Sequence, residues 1–543
     1  MSKRYLAVAG LLCAAISSAQ AQLPAPVIGS ILNAASGGDA TPSGLAPGAL
    51  FTISAFFGVS PELSSSVPTI QVQPVGGVTT TIPVLKTGAV SLTARLPESF
   101  PLGAADFTIV QDGLRGNPVR VPFRNTSLGL YRRWNSSPGQ GIAQNIAQDQ
   151  TATLNTMTNP AQPGGMVTLW GTGLGDATAE GISVSVGNAT VPALSAGHVA
   201  ASPGMDQITF QLPSASLQAG CYVPVTVAGM GWTSNEVTLS IANAPGACSH
   251  PLGLTADMLA RLDDGDAIPF ATGGMDSDAD VARFRGAALD ESVTVYFRRA
   301  AAAEIDTLSA PLQRVAAAPC VVASIYQPQA LYGIPFIAGF DAGSAVTFAD
   351  PSGATLPVPF QFSSYSLSLP EELTTPDGLS SSFAPGTWQA QTAGGTDIGP
   401  LSFNFAVPPA MHITNVSQLQ VLDPNKNTSV SWNGDGAPDG FDAVVSLGPS
   451  AVPIIVVGIG GTPLASLTST GVVCRVPASQ GQVTIPAAMV AQAASFPLLS
   501  LTLEITERND SPVVFPFTMR NGGQAIGYFR YRRLEALQFL KSQ

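Results

Sequence analysis

Charge is what this chain has least of. Asp, Glu, Lys and Arg together make up 11% of its 543 residues, against about 25% in ordinary soluble domains. Only four lysines occur, Lys3, Lys86, Lys426 and Lys541, and the formal net charge is −12. Binding a nucleic acid requires clustered basic side chains that displace counterions, so no nucleic-acid partner is expected. Histidine is scarcer still, with His198, His250 and His412 far apart in the chain. There is no G-x-S-x-G elbow and no H-E-x-x-H helix. A serine-type triad or a catalytic zinc site therefore lacks its components, and no catalytic residue is expected. After the first twenty residues no apolar run reaches the ~18 residues that cross a bilayer as a helix, so no membrane span is expected.

The amino terminus reads as an export address. Lys3 and Arg4 precede the apolar stretch "YLAVAGLLCAAI" (5–16), and "AQA" (19–21) has the small-x-small form of a cleavage site. Residues 1–21 are read as a signal peptide and the protein as secreted or held at the cell surface. Leu12 before Cys13 is too bulky for a lipoprotein signal. Beyond Cys13 the chain has Cys221, Cys248, Cys320 and Cys474. Four cysteines allow three pairings. The expected one is Cys221–Cys248 with Cys320–Cys474; the alternative is four buried free thiols. No C-x-x-C is present.

Glycine (55) and proline (45) are abundant, above an ordinary combined usage of about 12%. A hydrophobic content of 45% still allows real cores. Many short strands with many turns are the expected result. "FTIS", "VTLW", "ISVSV", "ITFQL", "VPVTVAG" and "VTLSIA" alternate apolar and polar residues with period two.

The chain also repeats itself. "PGALFTISAFFG" (47–58) aligns with "PGGMVTLWGTGLG" (163–175), and "LTARLP" (92–97) with "ITFQLP" (208–213). Pro47 and Pro163, Gly48 and Gly164, Thr52 and Thr168, Pro97 and Pro213, and Gly113 and Gly229 all keep one offset. A duplicated unit of this length matches an immunoglobulin-like sandwich of about 100 residues. The glycines of 163–176 flank a strand and do not open a helix, so they are read as turn formers rather than a phosphate cradle.

"ILNAAS" (31–36), "LAPGALFTISAFFG" (45–58), "NPAQPGGMVTLWGTGLGDAT" (159–178), "GCYVPVTVAG" (220–229) and "SNEVTLSIA" (234–242) resemble the Solibacter-type carboxy-terminal domain family of acidobacterial proteins. The resemblance spans about residues 27–243. It implies exported immunoglobulin-like (IPT/TIG-like) modules, carries no catalytic residues, and places His198 where an apolar residue is usual.

The expected architecture is mainly β: tandem immunoglobulin-like β-sandwiches with a small mixed α/β connector. After the signal peptide, module 1 covers 22–126 and module 2 covers 127–243. The connector covers 244–319, module 3 covers 320–407, and module 4 covers 408–543 with a short carboxy-terminal helix. Ala-rich "LTADMLARLDDGD" (254–266) and "AAAAEIDTLSAPLQRVAAA" (300–318) are the connector's expected helices. Trp170 and Trp388 are expected to be packed.

Two weak metal candidates remain. Asp276, Asp278 and Asp280 alternate as in a calcium loop, but Val281 and Ala287 occupy the places an EF-hand reserves for Gly and Glu. Asp423, Asn425 and Asn427 share the spacing. Both have a structural alternative, since Asp and Asn bond their own backbone in turns. No cofactor is expected other than calcium at these positions. Glu371 and Glu372 are neighbours and cannot face one glycosidic bond from a strand. Arg530, Arg532 and Arg533 are either an acidic-partner contact or a solvated last strand. The function expected is non-catalytic extracellular binding, adhesion or scaffolding toward a protein or a glycan; the alternative is a carbohydrate-binding accessory of a polysaccharide-degrading system.

Overall fold

The structure is a computed structural model. It describes residues 24–540 apart from 59–60, 62–65, 135, 137–138, 216, 230, 281–286, 314–318, 327–338, 370–371, 375–380, 420, 435–436, 438, 450–467 and 494–497. The signal peptide and Cys13 lie outside the described residues.

Residues 24–126 form a two-sheet sandwich. Val27–Asn33, Leu50–Phe56, Ser91–Arg95 and Val84–Gly88 make one sheet; the other is built on Thr69–Pro74 and Gly103–Gln111. Strand alternation does the sorting. Phe51, Ile53 and Ala55 point inward from one strand, Phe107 and Ile109 from the facing sheet. The Phe51 and Phe107 rings meet edge to face at 5.4 Å.

Residues 127–243 repeat the plan. Met166–Thr172 pairs with Asp206–Gln211, and Ser183–Val186 pairs with Gly220–Gly229. Ala189–His198 crosses from one sheet to the other, with a register shift between Ala193 and Ser195. The duplication extends to individual bonds. Thr52 and Thr93 hydroxyls touch between paired strands of the first sandwich at 3.2 Å, and Thr168 and Thr209 between the matching strands of the second at 2.8 Å. Gly48 and Gly164 have φ of 78° and 79°. Their N–H groups donate to Pro97 O at 3.2 Å and Pro213 O at 3.1 Å.

The rest of the chain is organised differently from the expectation. Apart from the separate pair Thr428–Ser431 and Gln482–Ile485, the strands described between 268 and 540 share one continuous sheet, ordered Cys320–Tyr326, Thr468–Pro477, Phe441–Pro449, Leu498–Glu507, Gln524–Leu540, Ile268–Asp280, Ala287–Ala300 and onward to Leu401–Val407. This pairing crosses the boundaries expected at 319/320 and 407/408. The closing contact is a parallel pairing of 270–280 with 526–536. The sheet curls over itself, so that Phe403 stacks on Phe515 at 4.0 Å and Phe405 meets Phe529 at 4.6 Å. The expected carboxy-terminal helix is instead part of the strand Gln524–Leu540. Helix propensity in "LEALQFL" loses to strand pairing, with Leu498–Glu507 along its whole length and with Ile268–Asp280 as far as Ala536. The two Ala-rich stretches do form helices, Ala256–Asp263 and Ala302–Gln313.

The corner after Met166–Thr172 is a joint between modules. Gly173 and Gly175 have φ of 95° and 58°. A Cβ on Gly173 would sit 2.3 Å from Ser127 O, and one on Gly175 only 1.7 Å from Asn125 O. The glycines let this loop lie flat against the linker out of module 1. Beside it, the buried Asn33 amide donates to Ser127 O at 3.1 Å and to Thr172 O at 3.3 Å. Its oxygen accepts from the Ala35 and Ser36 amides at 3.0 and 3.1 Å. The Leu50 amide donates to the Thr172 hydroxyl at 2.8 Å. Gly181 also has positive φ, 83°, but open space around it. Gly175→Ala is expected to cost about 3 kcal/mol or more and Gly181→Ala only about 1 kcal/mol, read by denaturant unfolding of the full chain.

Candidate binding face

The cysteines pair as Cys221–Cys248 and Cys320–Cys474. The first ties the strand Gly220–Gly229 to the segment leaving module 2, near the helix Ala302–Gln313. The second joins directly opposed residues of two strands separated by 154 residues. Closing a loop that long stabilises the fold by about 4–5 kcal/mol in the chain-entropy picture.

Asp276, Asp278 and Asp280 lie on the strand Ile268–Asp280, not in a loop. Their i, i+2 spacing is the strand period, which puts the first two carboxylates on one face. Arg532 stands opposite Asp276 in register. Its Nε is 2.8 Å from Asp276 Oδ1, and its Nη2 is 2.8 Å from Asp278 Oδ2. One guanidinium thus bridges both carboxylates, and Arg530 lies 4.0 Å from Asp276 Oδ1 as a second positive charge. Burial pushes the Asp278 carboxyl up, against the pull of Arg532, and Asp276, Asp290 and Glu504 add to the rise. The side chain of Asp280 lies outside the described residues. Asp423 is a turn former: its Oδ1 accepts the Asn425 amide at 3.0 Å, and Lys426 sits 3.1 Å from Oδ2. The Asn425 amide bond, with Lys426, lowers its carboxyl. Asn427 Oδ1 accepts the Ala487 amide at 2.9 Å. Among the described residues no group of three or more His, Cys, Asp or Glu is placed to hold a metal ion.

The histidines are not brought together. His198 Nδ1 contacts the buried Asp206 Oδ1 at 2.5 Å, and Asp206 Oδ2 accepts the Leu174 amide of the glycine corner at 2.7 Å. His250 Nε2 lies 3.1 Å from the Tyr222 hydroxyl in a buried pocket, and burial pulls its imidazole down to about 3. His412 sits between Glu535, at 3.3 Å, and Arg533.

The three arginines of the last strand separate by alternation. Arg533 is 1% exposed and Arg530 is well exposed. Arg533, Ser277 and Glu291 lie in one row across the sheet on its packed side. The Ser277 and Ser381 hydroxyls and the Ser382 amide donate to Glu291, at 3.0, 2.5 and 2.8 Å. Sequence reading missed this buried polar row, although 529, 531, 533, 535 and 537 already form a period-two series.

The opposite side of the same strands begins under the two helices, where Ile268 and Phe270 are buried, and then opens to solvent. The open part presents Thr272, Asp276, Asp278, Thr294, Tyr296, Arg530 and Arg532. Tyr296 is 42% exposed. None of the five tryptophans is exposed. Trp388 and Trp432 are 4% accessible, the Trp232 ring covers Gly229, and Arg133 stacks on Trp134 at 5.0 Å. A shallow groove of about 570 Å³ runs along 179–193 and offers one charged side chain, Glu180.

The sandwich of module 2, with its strand-switching hairpin, coincides with a family model. Residues 152–241 are an IPT/TIG domain. A search of curated proteins found no match. Solved structures similar to the chain include the tetra-tandem repeat in the extending region of a large adhesion protein, with 12% identity, TM-score 0.12, and coverage of 93% of this chain and 98% of that one. Another is SGBP-B of the Bacteroides ovatus mixed-linkage glucan utilization locus with a heptasaccharide, at 12% identity, TM-score 0.14, and 87% and 95% coverage. A third is the gamma-CGTase of Alkalophilic bacillus clarkii, at 13%, 0.14, and 41% and 26%. TM-scores of this size transfer no ligand to the present chain. Cys221 and Tyr222 of the IPT/TIG domain pack in one cluster with the two helices and with Ile268 and Phe270 of the large sheet.

Replacing Arg532 by Met removes both ion pairs and leaves Asp276 and Asp278 facing each other. The expected cost is about 1–2 kcal/mol. Millimolar calcium should leave the melting temperature of the native protein unchanged and raise that of Arg532→Met, measured by scanning fluorimetry.

Proposed function

We propose that the protein is an exported, non-catalytic scaffold that binds through the open face of its large sheet. The observation supporting this reading is the distribution of polar groups. Those that are buried lock one part of the molecule to another, as Asn33 and Asp263 do. On the open face Asp276, Asp278 and Arg532 are fixed as ion pairs, beside the hydroxyls of Thr272, Thr294 and Tyr296. Asp263 takes Arg133 at 3.1 Å and the Thr158 amide and hydroxyl at 2.9 and 2.7 Å, fastening the helix Ala256–Asp263 to module 2. The disulfides agree with an oxidising compartment. The Solibacter-type resemblance over 27–243 belongs to the same reading.

A second reading, a carbohydrate-binding accessory, is favoured by one feature: Tyr296 stands exposed among hydroxyl, carboxylate and guanidinium groups on a sheet face. An aromatic ring among hydrogen-bonding groups suits a neutral sugar. Amino-terminal sequencing of exported protein is expected to begin at Gln22, and the protein should resist extraction from the cell-surface or medium fraction into the cytosolic one; an intact amino terminus in the cytosol would contradict export. On a glycan array, retention abolished by Tyr296→Ala assigns the sugar reading. An array with no retention leaves the scaffold reading, whose ligand is then a protein.

A further inference from the structure

The helix Ala302–Gln313 is fastened to the IPT/TIG domain at two places. At its end, Gln313 is a neutral rivet. Its Oε1 accepts the Tyr222 amide at 2.8 Å and its Nε2 donates to Ala219 O at 3.0 Å. In its middle, Asp306 is driven into the joint with no exposure at all. Asp306 Oδ2 accepts the Ser136 hydroxyl at 3.3 Å, while Oδ1 has no partner. One turn on, the Ser309 hydroxyl is buried without a partner too.

The neighbours fix the direction of the hydrogen bonds. The Leu252 amide donates to His250 Nδ1 at 3.1 Å. The neutral ring therefore carries its proton on Nε2 and donates to the Tyr222 oxygen, 3.1 Å away. The Tyr222 hydroxyl hydrogen is left to turn toward Met157 Sδ, 4.0 Å away, or toward Asp306. Ionised Asp306 thus carries its charge out of contact with solvent, answered only by Ser136, Tyr222 and the Gln140 amide. That state is costly. Adding a proton removes the charge and makes Asp306 a donor, with the unpartnered Ser309 oxygen one helical turn away.

We propose that Asp306 is a proton-operated clamp between the large-sheet body and the IPT/TIG domain, closing the joint when protonated and loosening it when ionised. Charged and titratable groups face Asp306 from the connecting loop, the strand and the loop that follows it. The connecting loop brings Arg132 and Arg133, the first bonded to Ser136 O at 2.7 Å and the second paired with Asp263. The strand brings Tyr222 and the following loop His250. Burial raises Tyr222 far above neutrality and holds His250 near 3, so neither changes charge between pH 4 and 7. Burial pushes Asp306 itself up to about 6, against the Tyr222 bond, the Gln140 amide, Ser136 and Arg133. The sign follows. A carboxyl raised in the folded state holds the joint fully below its unfolded value near 4, and that support is lost as pH rises through 6. A rise of about two units changes the closed-to-open ratio roughly 100-fold.

The test is hydrogen exchange of the full chain between pH 4.5 and 7.5, corrected for intrinsic rates and followed at the amides of 302–313 and 220–229. Protection is expected to fall by roughly 10- to 100-fold as pH rises. In Asp306→Asn it should be flat and at least as high as the native value at pH 4.5. Tyr222→Phe removes a donor to the ionised carboxyl and should move the midpoint upward. Native protection that does not vary with pH, an Asp306→Asn variant that keeps the native dependence, or a Tyr222→Phe midpoint that stays put would each overturn the clamp. The native and Tyr222→Phe profiles decide the matter alone if Asp306→Asn does not fold. Glu507, raised to about 7 by burial in the large sheet, titrates in the same range; its strand 498–507 should respond equally in native protein and Asp306→Asn.

Discussion

A polar atom taken out of water must find a partner, and most of this molecule's long-range order follows from how that demand is met. Asn33 is the clearest case. Its side chain leaves the first sandwich, reaches a carbonyl in the linker and another in the second sandwich, and still caps its own turn. Four bonds converge on one amide. The two modules are therefore held by specific bonds and not only by apolar contact, and the glycine corner at 173–175 exists to let the backbones come that close. Arg132 adds to the same seam by donating to Ser36 O.

The same demand shapes the large sheet. Its first long hairpin and its last strand are far apart in sequence, yet they pair along eleven consecutive positions, 270–280 with 526–536. Once paired, alternation forces Arg533, Ser277 and Glu291 to one side and Arg532, Asp276 and Asp278 to the other. The packed side needs Ser381, Ser382 and His412 to serve its charges. The open side pairs its own. A hydrogen-bonding surface with its central charges paired is what such a sheet leaves over for binding.

The local rules were legible in the sequence, and the long-range pairings were not. The offset of Thr52 and Thr168 already encoded two equal sandwiches, because period-two alternation and turn glycines act over a few residues. The Asp276–Asp280 spacing was ambiguous, since a calcium loop and a strand both place ligands at alternate positions; only Arg532, more than 250 residues away, decides it. The parallel partner of that strand leaves no local mark. Splitting the chain at 319/320 and 407/408 followed composition, and composition says nothing about which edges meet. The Asp306 site was hidden for the same reason: an acid on an Ala-rich helix looks solvated until the IPT/TIG domain covers it.

The claim that buried amide bonds, and not apolar contact alone, unite the first two modules is tested most directly by scanning calorimetry of the full chain with and without Asn33→Ala. The account predicts that the native modules melt together and that the variant gains a separate, earlier transition of single-module size, about 70 kcal/mol for roughly 100 residues. A variant with the same number of transitions as the native protein would contradict it.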